Sequence, residues 1–249
     1  MSKAGSVLIF HEDLRNIVEK PLGPGGVFHY NAQSHASVKD VIESLGVPHT
    51  EVDRLTANGK DVSFSFILED GDHVEIFPVP CPVDLSVPNL LRPEPLHDIR
   101  FTVDVNVAKL AMFLRMAGFD VFYENSADDE KLARVSHDEK RVLLTRDKRL
   151  LKRKIVMFGR LIRSEIPEEQ FRETMRIFDL KDKMRPFSRC LVCNAMLKPI
   201  SKNEIFHRLE PLTKKYYNSF HICPRCDKIY WPGSHKDNMH KIMETSLSE

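Results

Sequence analysis

No apolar run in this 249-residue sequence approaches the ~18 to 20 residues that a bilayer-spanning helix requires. The N-terminus, Met1 to Phe10, lacks the long apolar core of a secretory signal and passes straight into strand-like sequence. Membrane insertion and export are therefore not expected, and the setting that follows is a reducing cytoplasm. Cysteine is scarce, five in all, so a disulfide scaffold is not expected in that compartment. Internal repeats and low-complexity tracts are absent. Net charge is almost absent too, at +1.

That near-zero total hides an asymmetry. Residues 1–98 hold 7 Lys and Arg against 15 Asp and Glu, a net −8, whereas residues 99–249 hold 30 against 21, a net +9. Halves of opposite sign predict units with different partners. The positive charge is concentrated: Lys140 to Arg163 contains ten Lys or Arg and one acid, Asp147. Hydrophobic residues make up 42% of the chain, enough for buried cores, and the length suits two or three compact units. Six of the fifteen prolines fall between Pro78 and His97. Proline removes backbone donors and holds its predecessor extended, so residues 81–98 read as a semi-rigid linker.

Residues 5–80 alternate strand and helix signals. Val7 to Phe10 and Gly26 to Tyr30 read as strands, and Ser37 as the N-cap of a helix reaching Leu45. Asn58-Gly59 signals a hairpin. Val62 to Leu68 and Val74 to Phe77 read as further strands. The order describes a small β-grasp. Gly46-Val-Pro-His-Thr-Glu-Val-Asp53 with Asp70-Gly-Asp-His-Val-Glu-Ile-Phe-Pro78 resembles the ubiquitin-like, sulfur-carrier type of that fold. Carriers of that family end in a free Gly-Gly. Here the last strand runs into Pro78-Val-Pro-Cys-Pro82, so the resemblance implies an interaction module, with a protein partner expected through the β-grasp unit, and Cys81 an ordinary thiol.

Residues 99–182 alternate strand and helix: strands at Arg100 to Val105, Phe119 to Tyr123, Arg141 to Thr145 and Ile155 to Phe158, with helices between and a last helix at Pro167 to Phe178. Such alternation predicts a parallel sheet with flanking helices, and ligands bind beyond the carboxyl ends of its strands. Acids stand at those ends: Asp104 closes the first strand, Asp128, Asp129 and Glu130 open the helix after the second, and Asp147 lies two residues past the third. Carboxylates converging on one rim call for a cation, and oxygen-only ligands suit Mg²⁺ or Mn²⁺. Each acid has a structural alternative, since Asp128, Asp129 and Asp147 are all placed to cap or charge a helix start. Asp104 has the weakest one, because it interrupts an apolar strand pattern.

Phe101-Thr-Val-Asp104, Leu110-Ala-Met-Phe-Leu-Arg-Met-Ala-Gly118, Asp128-Asp-Glu-Lys-Leu132 and Val142-Leu-Leu-Thr-Arg-Asp147 together resemble the PIN-like RNase domain of the Mut-seven type. The likeness continues through Pro186-Phe-Ser-Arg-Cys190 and Trp231-Pro-Gly-Ser-His235. It implies a metal-dependent ribonuclease in which Asp104 and Asp147 are metal ligands and Asp128 or Asp129 supplies a third carboxylate. The basic run then offers Arg146, Lys148, Arg149, Lys152, Arg153 and Arg163 as contacts to an RNA backbone.

Residues 183–245 carry Cys190-Leu-Val-Cys193 and Cys223-Pro-Arg-Cys226, separated by 29 residues. Two such pairs can place four thiolates around a structural Zn²⁺ in a zinc ribbon, here followed by a C-terminal helix. Lys198, Lys202, Lys214 and Lys215 stand ready for nucleic acid. Tyr216, Tyr217, Phe220, Tyr230 and Trp231 read as ribbon core or as base-stacking groups. His207, His221, His235 and His240 receive no role. The expectation is a cytosolic Mg²⁺- or Mn²⁺-dependent ribonuclease with a β-grasp appendage and a zinc ribbon. The competing expectations are a non-catalytic RNA-binding or ribosome-associated module and, from another class, a sulfur-transfer or redox factor.

Overall fold

The computed structural model describes residues 5–31 and 35–232, which form three sheets. The first comprises β1 (Ser6–Phe10), β2 (Val27–Tyr30), β3 (Val52–Ala57), β4 (Lys60–Asp61) and β5 (His73–Pro78), with α1 (Val38–Ser44) between β2 and β3. Its order is β2-β1-β5-β3-β4, with β1 and β5 parallel at the centre, which is the β-grasp. Alternate residues Leu8, Phe10, Val74 and Ile76 are fully buried with Val38, Val41 and Ile42 of α1. The Ser37 side chain accepts from Asp40 N–H and so caps α1. Asn58 and Gly59 both have positive φ, 52° and 77°, as the tight β3–β4 turn requires.

Val62 to Leu68 is not the strand that its composition predicts. It crosses the start of α1, where Val38 N–H donates to Phe66 O at 2.7 Å and Leu68 N–H to Ala36 O at 3.1 Å. The free donors of a helix start compete here for carbonyls that a ladder would otherwise use.

The second sheet is parallel throughout: β6 (Phe101–Val103), β7 (Val121–Phe122), β8 (Val142–Thr145) and β9 (Gly159–Leu161), in the order β7-β6-β8-β9. Every residue of β6, β8 and β9 is buried, as a sheet covered on both faces demands. Helices α2 (Ala108–Met116) and α5 (Pro167–Ile177) share one core with β6 through Leu110, Leu114, Phe171 and Met175. Helices α3 (Asp129–Asp138) and α4 (Lys148–Leu151) supply Leu132, Leu150 and Leu151 to a different core. The fourth strand lies at Gly159–Leu161 rather than Ile155 to Phe158. A side chain at Gly159 would meet Leu151 Cδ2 at 2.6 Å, so any larger residue would displace the buried Leu151 of α4.

That second core is shared with the β-grasp. Leu14, Ile17 and Leu91 belong to one buried cluster with Leu150, Leu151, Val156 and Leu161. His49 spans the junction, with Nδ1 2.6 Å from Glu43 Oε1 and Nε2 2.8 Å from Val156 O. Glu51, 1% exposed, accepts Leu161 N–H at 2.8 Å, and its other oxygen lies 3.4 Å from Arg160 and 3.7 Å from Arg163. The proline-rich stretch has no helix or strand, but it is held down: buried Arg92 donates to Thr50 O and Val52 O and pairs with Asp53 at 3.2 Å. Glu51→Ala should lower stability by about 3 kcal/mol, because buried Arg160 loses its ion-pair partner. An unchanged urea midpoint would show that this ion pair does not hold the two units together.

The third sheet, β10 (Lys198–Ile200), β11 (Phe220–Ile222) and β12 (Ile229–Tyr230), is antiparallel. The long spacer between the cysteine pairs is taken up by β10, α6 (Lys202–Ile205) and α7 (Pro211–Tyr216). Its core is small: Ile205, Leu209 and Phe220. The expected C-terminal helix, with His235 and His240, lies outside the described residues.

Candidate functional site

In the parallel sheet the chain moves from β6 outward to β7, then returns past β6 to β8. The loops after β6 and β8 therefore leave toward opposite faces, and the carboxyl ends of these two strands are where an open parallel sheet takes a ligand. Asp104 directly follows β6, and Thr145 ends β8.

These side chains form one hydrogen-bonded group. Asp104 is 6% exposed; one of its oxygens accepts Val105 N–H at 2.6 Å. The other accepts the Thr145 hydroxyl at 2.6 Å and the Asn106 amide at 2.7 Å. Thr145 Oγ1 in turn accepts Asp147 N–H at 2.9 Å, and Asn106 Oδ1 accepts Arg146 N–H at 3.1 Å. Asp147 caps α4 by accepting Arg149 N–H at 2.7 Å. Thr145 thus links the Asp104 carboxylate to the backbone N–H of Asp147, and all donors to Asp104 are neutral. Thr145 and Asn106 carry no catalytic signature of their own in the sequence, although Asp104-Val-Asn106 and Thr145-Arg-Asp147 place each beside a candidate acid. Glu173 is a further acid on this rim. It accepts Arg163 N–H at 3.3 Å, next to Ile162, whose N–H goes to Thr145 O. Burial pushes its carboxyl above the ordinary range, against hydrogen bonds from Arg163 and Ser164 N–H.

The remaining acids are engaged separately. Asp128 is exposed and caps α3 through Lys131 N–H at 2.8 Å. Asp129 lies 3.8 Å from Arg153. Among the described residues, Asp104, Asp128, Asp129 and Asp147 do not form a group of three or more ligands within 4.8 Å of one another; the four cysteines do.

Much of the basic run faces inward on the β-grasp. Lys148 Nζ donates to Ile17 O and to Glu19, both at 2.9 Å, and Lys152 Nζ to Glu43 O at 2.6 Å. Arg163 lies 2.8 Å from Asp13, and Arg146 pairs with Glu165 at 2.6 Å. The Lys148 hydrogen bond holds the Glu19 carboxyl below its usual range. Arg149 is exposed. The opposite charges of the two halves are thus partly matched within the chain.

The cysteines form a compact tetrad, with Cys190 and Cys226 sulfurs 3.5 Å apart and Cys193 and Cys223 sulfurs 3.4 Å apart. A tetrahedral Zn²⁺ with bonds of about 2.3 Å sets its sulfurs about 3.8 Å apart, close to this spacing. The two pairs are built alike. Cys193 N–H donates to Cys190 Sγ and Cys226 N–H to Cys223 Sγ, each at 3.4 Å. The next residues, Asn194 and Asp227, have φ of 65° and 58°, conformations that Asn and Asp tolerate. Burial pushes the Cys190 thiol up, but hydrogen bonds from Tyr230 OH and the Cys193 and Val192 N–H groups outweigh it and bring it down to about 6. The first pair docks where α2 turns into β7: buried Arg115 donates to Leu191 O and Val192 O at 3.0 Å, and Asn194 bridges Val121 N–H and Asp120.

A family model for the Mut7-C RNAse domain matches residues 99–243, and one for the Mut7-C ubiquitin domain matches residues 4–84. Comparison with curated proteins and with solved structures finds no match.

Proposed function

Because the chain belongs to the Mut7-C RNAse domain family, we propose that it is a metal-dependent ribonuclease whose active centre lies at the carboxyl ends of β6 and β8. The observation that carries this reading is that Thr145 bonds both the Asp104 carboxylate and the backbone N–H of Asp147 at the point where the strand order reverses. Asp104 and Asp147 would hold Mg²⁺ or Mn²⁺, an arrangement supported by the hard oxygen donors of both carboxylates and the neighbouring hydroxyl. Mg²⁺ commonly takes only one or two protein carboxylates and completes its shell with water and phosphate oxygens. When bound, such an ion activates water and stabilises the leaving oxygen of a phosphodiester.

The chain's own residues prepare that step. The Thr145 hydroxyl and the Asn106 amide fix the Asp104 carboxylate without neutralising it. Asp147 spends one oxygen on Arg149 N–H, which leaves the other to serve as a ligand. Arg149 is exposed beside it and would take a substrate phosphate. Lys148, Lys152 and Arg163 reach RNA in this reading only where their contacts to the β-grasp yield. A protein partner of the β-grasp would approach by a face not docked on the parallel sheet. Asp128 and Asp129 would enter as a third carboxylate only after leaving the α3 cap and Arg153. Among the described residues no helix is long and apolar enough to cross a membrane; the cytoplasm is the setting we propose.

The test is cleavage of labelled RNA by the purified full chain, with Mg²⁺ or Mn²⁺ added or withheld. Withholding the ion is preferable to EDTA, which also attacks the cysteine site. Cleavage should appear only with the added ion. Binding without cleavage would favour the second reading, an RNA-binding module without catalysis, which is supported by the separate engagement of Asp128 and Asp129.

A further inference from the structure

Among the described residues, two adjacent cations of the ribbon insertion, Lys214 and Lys215 in α7, lack an acidic partner. Instead each lies over an aromatic ring: Lys214 Nζ is 4.7 Å from the Phe206 centroid and Lys215 Nζ 5.3 Å from that of Tyr216. Both rings are open, Phe206 at 49% and Tyr216 at 63% exposure. They are not spare core residues, because the ribbon already fills its interior with Ile205, Leu209 and Phe220. Leu212, 70% exposed, stands four residues before Tyr216 on the same side of α7.

Exposed rings with lysines held beside them fit a strand that offers a base face and a phosphate at each step. Every base presents a π-face, so stacking tolerates any sequence, while the ammonium groups meet the backbone. In a duplex the base faces are already stacked and closed to such rings. We propose that the α6–α7 insertion, through Phe206, Tyr216, Lys214 and Lys215, is an anchoring platform for single-stranded RNA. Only the choice of RNA as the polyanion rests on the ribonuclease reading. The ribbon docks at the α2–β7 turn, where β7 begins, whereas Asp104 lies at the carboxyl end of β6. The platform therefore acts away from the reacting phosphate and sets affinity rather than chemistry.

The experiment is fluorescence anisotropy of the zinc-loaded full chain without added Mg²⁺ or Mn²⁺. The probe is a labelled oligouridine of about 16 nucleotides, within known single-strand site sizes, compared with a duplex of the same length. Phe206→Ala and Tyr216→Ala should each weaken single-strand binding about tenfold and leave duplex binding nearly unchanged. Tyr216→Phe should restore it. The Lys214→Ala/Lys215→Ala pair should reduce the slope of log affinity against log salt by about 1.4, at about 0.7 per single-strand phosphate contact. If the chain cleaves RNA, the ring variants should raise KM and leave kcat alone. Parental binding by both ring variants, an equal loss for duplex, or no single-strand binding by the parent would overturn the platform. Absence of cleavage alone would overturn only the ribonuclease reading. A ribbon that captures a protein or a second copy of the chain while ignoring RNA also overturns it.

Discussion

Asp147→Asn is expected to slow metal-dependent RNA cleavage about a thousandfold while the protein stays folded. The substitution is isosteric. The Asn side-chain oxygen can still accept Arg149 N–H, the 2.7 Å bond that caps α4, so the change is confined to the charge. Losing an anionic metal ligand removes several kcal/mol of transition-state stabilisation, and each 1.36 kcal/mol is tenfold in rate. Asp104→Asn is a less clean experiment. All three donors to that carboxylate, Val105 N–H, Thr145 OH and Asn106 NH₂, need acceptors, and an amide nitrogen in either position would face a donor. It should abolish cleavage and also lower the melting temperature, because a nearly buried polar group is left mispaired. Single-turnover cleavage with Mn²⁺, paired with thermal denaturation, separates the two effects. Parental cleavage by Asp147→Asn would remove Asp147 from the active centre.

Zinc removal is expected to act on the other end of the chain, by unfolding the ribbon. The binding free energy of a structural zinc, about 10 to 16 kcal/mol in small zinc-binding peptides, is largely folding free energy. The ribbon has little else to hold it, since its buried core is Ile205, Leu209 and Phe220. Before chelation, thiol labelling should find Cys81 alone, the exposed cysteine outside the tetrad; afterwards all five should react. Metal analysis should return zinc in equimolar amount. Cys223→Ser should reproduce the chelated state, and the loss should reach the parallel sheet, because Arg115 then loses the Leu191 and Val192 carbonyls that satisfy its buried guanidinium. Five reactive thiols in the untreated protein would mean that the tetrad holds no metal and that a redox role needs reconsidering.

The two units are also less separable than a linker of prolines suggests. Leu91 and Arg92 sit between them, and Glu51 lies buried against Arg160. A chain cut after the linker would expose Leu150, Leu151, Val156 and Leu161, which the β-grasp now covers.

Several features were already fixed by local chemistry. Ser37 caps α1, Asn58-Gly59 turns β3 into β4, Gly118 follows α2 with φ of 96°, and two Cys-x-x-Cys pairs form one tetrad. Each depends on residues a few positions apart, or on a ligand type with one common use, so spacing alone reveals it. The acids at strand ends were legible for a similar reason, because alternation of strand and helix fixes which end carries a loop. The partners of those acids were not. Thr145 reaches Asp104 across 41 positions, and Lys148 reaches Glu19 across 129. A cation run reads the same whether water, RNA or another part of the chain neutralises it. Only the docking of the β-grasp, driven by burial of a shared apolar face, decided that Lys148, Lys152 and Arg163 turn inward while Lys214 and Lys215 remain open.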